Sequence, residues 1–246
     1  MSAQIGHLTN AEAEARLVPW TRLAAPIAGA EYEARIERAR ALLHERGADA
    51  LLITAGASLR YFCGVAWGAS ERLVTLLIMP AGEPIAICPG FEAATLQHVL
   101  TIPAQIRLWE EHENPYALVA AAMSERGARS LALDPAAPFF AYAGLRATLD
   151  THTIVTAQAI VDGCRARKSP AELALMQQAC DVTLHVHKLA AGLVREGITT
   201  TELKYFIDRA HRRLGADNGS TFCIVQFGEA TAHPHGIPGE QRLREN

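Results

Sequence analysis

The sequence has no run of basic residues and no acidic tail. Its 23 Lys and Arg against 26 Asp and Glu give a formal net charge of −3 with histidine neutral. That balance offers no electrostatic basis for a nucleic-acid or membrane-surface partner, and neither is expected. Cysteine is scarce and scattered. Cys63, Cys88, Cys164, Cys180 and Cys223 are odd in number and form no C-x-x-C pair, which argues against a disulfide framework and against a zinc ribbon. Cys180, set among apolar neighbours in a helical pattern, reads as a small buried hydrophobe. No apolar run nears the roughly 20 residues of a bilayer-spanning helix; Leu73 to Met79, broken by Thr75, reads as a strand. The opening stretch, with Glu12, Glu14 and Arg16, lacks the apolar centre of a signal peptide. A reducing, cytoplasmic setting is expected. The chain also lacks G-x-S-x-G, a P-loop, H-E-x-x-H and G-x-G-x-x-G, so these templates give no reaction class.

What is present is an apolar half, 50% of 246 residues, enough for one large or two ordinary domains. Residues 1–29 read as an N-terminal arm. From about Glu31, Ile36, Ala39, Leu42 and Leu43 recur on one helical face, with Gly47 as the stop. Ala50 to Ile53 reads as a buried strand, and Leu73 to Met79 with Pro84 to Cys88 as a hairpin turning at residues 80–83. Helical and extended segments then alternate. Phe91–Leu100, Pro115–Arg126 and Phe139–Leu149 read as helices; Gln105–Trp109, Ser130–Leu133 and Thr153–Val155 read as strands. Such alternation predicts an α/β layer with a mixed sheet over residues 30–162.

A boundary falls near residues 160–169, where Arg165, Arg167 and Lys168 form a basic connector. Ser169-Pro170-Ala171-Glu172 then opens a helix with a cap, a first-turn proline and a capping box, running to about Glu196 before Gly197. At 100° per residue, Gln177, Gln178, Asp181, His185, Lys188 and Arg195 form a polar stripe. Leu173, Met176, Cys180, His187, Ala190 and Val194 lie opposite. His185 and His187 therefore fall on different faces and cannot share a metal. His185 reads as a surface partner of Asp181 and His187 as a core residue. A second boxed helix runs from Thr199 and Glu202 to Gly215, and Thr221 to Phe227 reads as a strand with Phe222, Ile224 or Val225, and Phe227 partly buried.

The loop from Gly228 to Gly239 carries the remaining chemistry. Pro234 and Pro238 restrict φ, while Gly236 and Gly239 permit close approach of a ligand or chain. If the stretch is extended, His233 and His235 share a face and a two-histidine metal site is geometrically possible. Two neutral ligands with no carboxylate or thiolate beside them make a weak site. The alternative is a rigid surface loop with one functional histidine or none.

Three segments together resemble the pita-bread metallopeptidases, a family that includes prolidase, aminopeptidase P and creatinase. Ser58-Leu59-Arg60-Tyr61-Phe62-Cys63-Gly64 is similar to the family's "NIRYLTGF" segment. Arg165 to Met176 resembles the "R-x-x-KSPxEIxLM" entry to the catalytic domain, and Gly215-Ala216-Asp217 through Pro234-His235-Gly236-Ile237-Pro238 resembles "GA…SF…IV…G…PHG.P". They occur in the family's order, and the overall likeness is to bacterial Xaa-Pro dipeptidases. The resemblance implies a creatinase-type N-terminal domain at 30–162 and an incomplete α+β pita-bread catalytic domain at 163–246. It implies cleavage of the bond before proline in a dipeptide or peptide. The chemistry would be that of two divalent ions (Mn, Co or Zn), with His235 as the catalytic histidine that supports the transition state. Trp67, after the Tyr61–Gly64 motif, becomes a candidate substrate contact, since homodimers are common in the family and the N-terminal domain often helps build the partner's site; a packed aromatic is the alternative. The family's metal-binding Asp, His and Glu residues lie beyond the Leu243-Arg244-Glu245-Asn246 stretch, and Asp217, Glu229, Glu240 and Glu245 do not match them. The expectation is a truncated, inactive chain holding no metal. A non-catalytic pseudo-peptidase and a creatinase-type hydrolase remain open.

Overall fold

The structure is a computed structural model that describes residues 5–244; Glu245 and Asn246 lie outside the described residues. The described chain divides into two compact units. One is residues 27–168; the other joins the described residues up to Pro26 with those from Ser169 onward.

Residues 27–168 build a six-stranded mixed sheet between two helical layers. The strands are β1 (Ala50–Thr54), β2 (Thr75–Ile78), β3 (Ile85–Pro89), β4 (Gln105–Trp109), β5 (Ser130–Leu133) and β6 (Thr153–Thr156), in the order β4-β3-β2-β1-β5-β6. β1–β2 and β2–β3 are antiparallel, while β3–β4, β1–β5 and β5–β6 are parallel. The parallel pairs are joined through helices, as parallel strands require. β1 reads as unbroken apolar sequence because both its faces are covered. Leu51 and Ile53 pack towards α2 (Gly29–Glu45), α3 (Ala57–Cys63), α4 (Ala93–Val99) and α7 (Gln158–Arg165). Ala50 and Leu52 pack towards α5 (Pro115–Glu125) and α6 (Phe139–Thr148). Each fully buried Leu or Ile here contributes about 1.5–3 kcal/mol relative to exposure.

Two carboxylates fasten β1 to β5. At the entry, Asp49 Oδ2 accepts from Arg129 N at 2.8 Å, Ser130 N at 2.9 Å and Ser130 Oγ at 2.9 Å. The Arg129 amide is the main cause of a pKa below the ordinary aspartate value. At the exit, buried Asp134 accepts from Thr54 N at 3.2 Å, Ser58 Oγ at 3.2 Å and Ala136 N at 3.0 Å.

The second unit is a helical cluster. α8 (Pro170–Leu193) and α9 (Thr200–Arg213) pack on each other, and α1 (Asn10–Ala15) with its flanks lies on α8. All three open with capping boxes, Thr9/Glu12, Ser169/Glu172 and Thr199/Glu202. Leu8 N donates to Gly192 O at 2.9 Å, and Arg213 Nε donates to Leu17 O at 3.0 Å, so the arm is tied to both long helices.

Burial on α8 differs from the sequence expectation. Val182, Val186, Leu189 and Leu193 form the covered stripe, because Leu8, Leu17 and α9 lie on that side. Leu173 is 54% and Met176 50% exposed. Cys180 and His187, expected in the core, are exposed too. His185 Nε2 lies 3.3 Å from Arg16 O rather than pairing with Asp181, which accepts from Gln177 Nε2 at 2.8 Å. The helix ends at Leu193, where Val194 turns extended at ψ 117, before the left-handed Gly197 at φ 81.

Candidate functional site

α9 hands the chain to the site through a strapped turn. Arg212 Nε donates to Asp208 Oδ2 at 2.9 Å while its terminal nitrogens donate to Asp217 O at 3.0 Å and Asn218 O at 3.3 Å. Asp208 Oδ1 accepts from Ser220 N at 3.0 Å. The Arg212 hydrogen bond, followed by that from Ser220, holds the Asp208 carboxyl below its ordinary value. Gly219, at φ 64, completes the turn.

Thr221 to Phe227, expected to be a strand, joins no sheet ladder among the described residues. The period of two survives without one. Cys223, Val225 and Phe227 pack against the helical core, while Phe222 is 79% and Ile224 37% exposed. Phe222 is thus corrected from partly buried to exposed. An isolated extended segment cannot satisfy its backbone groups as a ladder does, and this one is held instead by side chains. Phe227 N donates to Gln241 Oε1 at 2.9 Å. Gln241 N donates to Thr200 Oγ1 at 3.1 Å, and Thr200 N to Gln241 O at 2.9 Å, tying residues 241–243 to the start of α9.

After a short 3-10 turn, Gly228–Ala232, the two loop histidines appear. They do not lie in an extended stretch. Gly236 N donates to His233 O at 3.0 Å, which closes a β-turn with Pro234 and His235 at its centre. No described non-glycine residue has a positive φ and no described peptide is cis, so the turn is of type I with His235 in its third position. Pro234 presets φ for the second position, and Gly236, at φ 84, takes the left-handed conformation that follows. Both histidines are exposed. The shared face assumed for a two-histidine metal site is absent because the turn breaks the period of two.

Trp67 is half-buried and packs against the core on the α2/α3 side of the sheet, in the other unit. His211 escaped sequence reasoning. It is 9% exposed, and its Nδ1 lies 2.8 Å from Ile207 O. A carbonyl only accepts, so Nδ1 carries the hydrogen. His211, His187 and Cys223 line a groove of about 740 Å³ floored by α8 and α9. The only sequence signal for His211 was its place one turn after Ile207 on the apolar face of α9. Among the described residues no three His, Cys, Asp or Glu side chains converge to hold a metal ion. The described residues therefore do not fit a pair of divalent ions. No helix among the described residues is long and apolar enough to cross a membrane.

With this geometry in view, residues 35–167, more than half the chain, match the family model described as "Creatinase/Prolidase N-terminal domain", and residues 174–246 match "Metallopeptidase family M24". YkvY of Bacillus subtilis strain 168, provisionally named a dipeptidase, is 28% identical over 214 residues, 86% of this chain and 59% of that protein. The uncharacterized peptidase SAB1567 of Staphylococcus aureus is 26% identical over 83% of this chain and 57% of its own length. Among solved structures, dipeptidase PepE from Mycobacterium ulcerans superposes with a TM-score of 0.76 at 24% identity, covering 89% of this chain and 59% of that one. The Xaa-Pro dipeptidase from Bacillus anthracis gives 0.72 at 20% identity, covering 86% and 57%. At these identities the structures establish the fold. The chain spans less than two thirds of the length of each of these four.

Proposed function

Because the chain belongs to the creatinase/prolidase family of metallopeptidases, we propose that it is part of an Xaa-Pro dipeptidase-type hydrolase, with His235 as the residue that meets the substrate. The observation that carries this is the His233–Gly236 turn, which offers an exposed imidazole at a position set by Pro234 and by the hydrogen bonds of His233 with Ala230 and Gln226. The bond before proline has a tertiary nitrogen and no N–H. A donor such as His235 acts on its carbonyl, where negative charge gathers in the transition state. Trp67, which is half-buried, is proposed as a substrate contact supplied within a homodimer. In the intact family two divalent ions would activate the water. The described residues assemble no group of three donors for them; that the 246-residue chain alone is inactive is part of the same proposal.

The test is hydrolysis of Xaa-Pro dipeptides with manganese, cobalt or zinc. No chelator-sensitive turnover is expected from the chain alone. Joined to the remaining portion of a matched relative, it should gain metal-dependent turnover. His235→Ala should then lower that turnover roughly a hundredfold, the scale for one transition-state donor, with metal content unchanged. Turnover by the chain alone would overturn the inactivity, and undiminished turnover in His235→Ala would overturn the role of His235.

A further inference from the structure

One side chain outside the turn reaches into it. Gln226 Nε2 donates to His233 O at 2.7 Å. The same carbonyl accepts from Gly236 N at 3.0 Å, so both its lone pairs are used. Gln226 Oε1 is buried and has no hydrogen-bond partner among the described residues. The amide is therefore oriented by its donor end alone; rotated by 180° it would set two oxygens against each other. The backbone beside Gln226 is also fixed, since Phe227 N donates to Gln241 Oε1 and Gln241 pairs with Thr200 at the start of α9. Hydrogen bonds run from the first turn of α9 through Gln241 to the Phe227 amide, and from its chain neighbour Gln226 to the carbonyl that opens the histidine turn.

We propose that Gln226 is a positioning residue, whose side-chain amide sets the His233–Gly236 turn and so the direction in which the His235 imidazole is offered. The functional half of this rests on the reading that His235 meets substrate; the structural half does not. Without Gln226 the turn keeps one internal hydrogen bond, and a four-residue turn held by one bond opens readily. Met and Glu have nearly the length and volume of Gln. Met cannot donate, and ionised Glu would press a carboxylate against the carbonyl. A side chain that only filled space would tolerate both.

The experiment is nuclear magnetic resonance on the labelled 246-residue chain and on Gln226→Met and Gln226→Glu. In the parent, one proton of the Gln226 side-chain amide should exchange slowly. In Gln226→Met, exchange of the Gly236 amide should rise roughly three- to tenfold, the scale for one lost hydrogen bond, and by more in Gln226→Glu. The His235 ring signals should shift or broaden in the same order, with the Phe206 and Ile207 amides of α9 unchanged. Unchanged Gly236 and His235 signals in both variants would overturn the proposal, as would equal loosening of α9. Should neither variant fold, a freely exchanging Gln226 amide in the parent overturns it by itself. If Gln226→Met loosens the turn while His235→Ala leaves turnover of the extended protein intact, Gln226 still sets the turn and it is the role of His235 that fails.

Discussion

A β-carbon placed on Gly219 would stand 2.2 Å from Asp208 Oδ1, the oxygen that accepts from Ser220 N. Gly219 also sits at φ 64, where an L side chain is strained. Gly219→Ala is expected to lower the stability of the unit by about 1–2 kcal/mol. A urea midpoint equal to the parent's would contradict the close approach.

Asp208 links the same turn to pH. Its folded pKa is depressed, chiefly by Arg212, so its contribution is present above the unfolded value of about 3.9 and is lost as pH falls through the folded value. Glu12 and Glu202 are depressed by hydrogen bonds from the Thr9 and Thr199 caps and act with the same sign. Stability should therefore decline on acidification below about pH 4. Asp208→Asn should flatten part of that decline. A denaturation series from pH 2 to 7 in which parent and variant have identical slopes would refute the assignment.

Asp134 is 2% exposed and gathers donors from β1, from α3 and from its own following turn. Asp134→Ala strands the Ser58 hydroxyl and two backbone amides in the interior. A loss of about 3 kcal/mol is expected, from orphaned buried donors at about 1–3 kcal/mol each. Thermal or urea unfolding measures it, and a loss below about 1 kcal/mol would mean that water replaces the carboxylate.

The thiols should separate by reactivity. Burial pushes Cys63, Cys88 and Cys164 up to about 11, whereas Cys180 is exposed on α8. Thiolate is the reactive form. In the native protein a thiol reagent should label Cys180 first and leave those three untouched until unfolding. Prompt native labelling of Cys63 would count against the packing of α3 on the sheet.

Local signals determined much of this protein. The capping boxes at Ser169 and Thr199 start α8 and α9 because a hydroxyl and a carboxylate three residues apart satisfy orphan amides with no outside help. The same signal at Thr9 and Glu12 was legible in a stretch read only as an arm. The apolar run of β1 implied cover on both faces, and Pro234 with Gly236 implied a rigid loop around His235. Only the tertiary structure decided which side of α8 is buried. Val182, Val186, Leu189 and Leu193 compete with Leu173, Met176 and Cys180 in any helical projection, and the outcome rests with Leu8 and Leu17, which are distant in sequence, and with the way α9 folds back. It also decided that Thr221 to Phe227 has strand-like alternation but no ladder among the described residues. Alternation is written in one segment, whereas a ladder needs a second backbone at hydrogen-bonding distance. The reach of Gln226 to His233 is of the same kind: seven residues apart, they meet because a short 3-10 turn folds one onto the other.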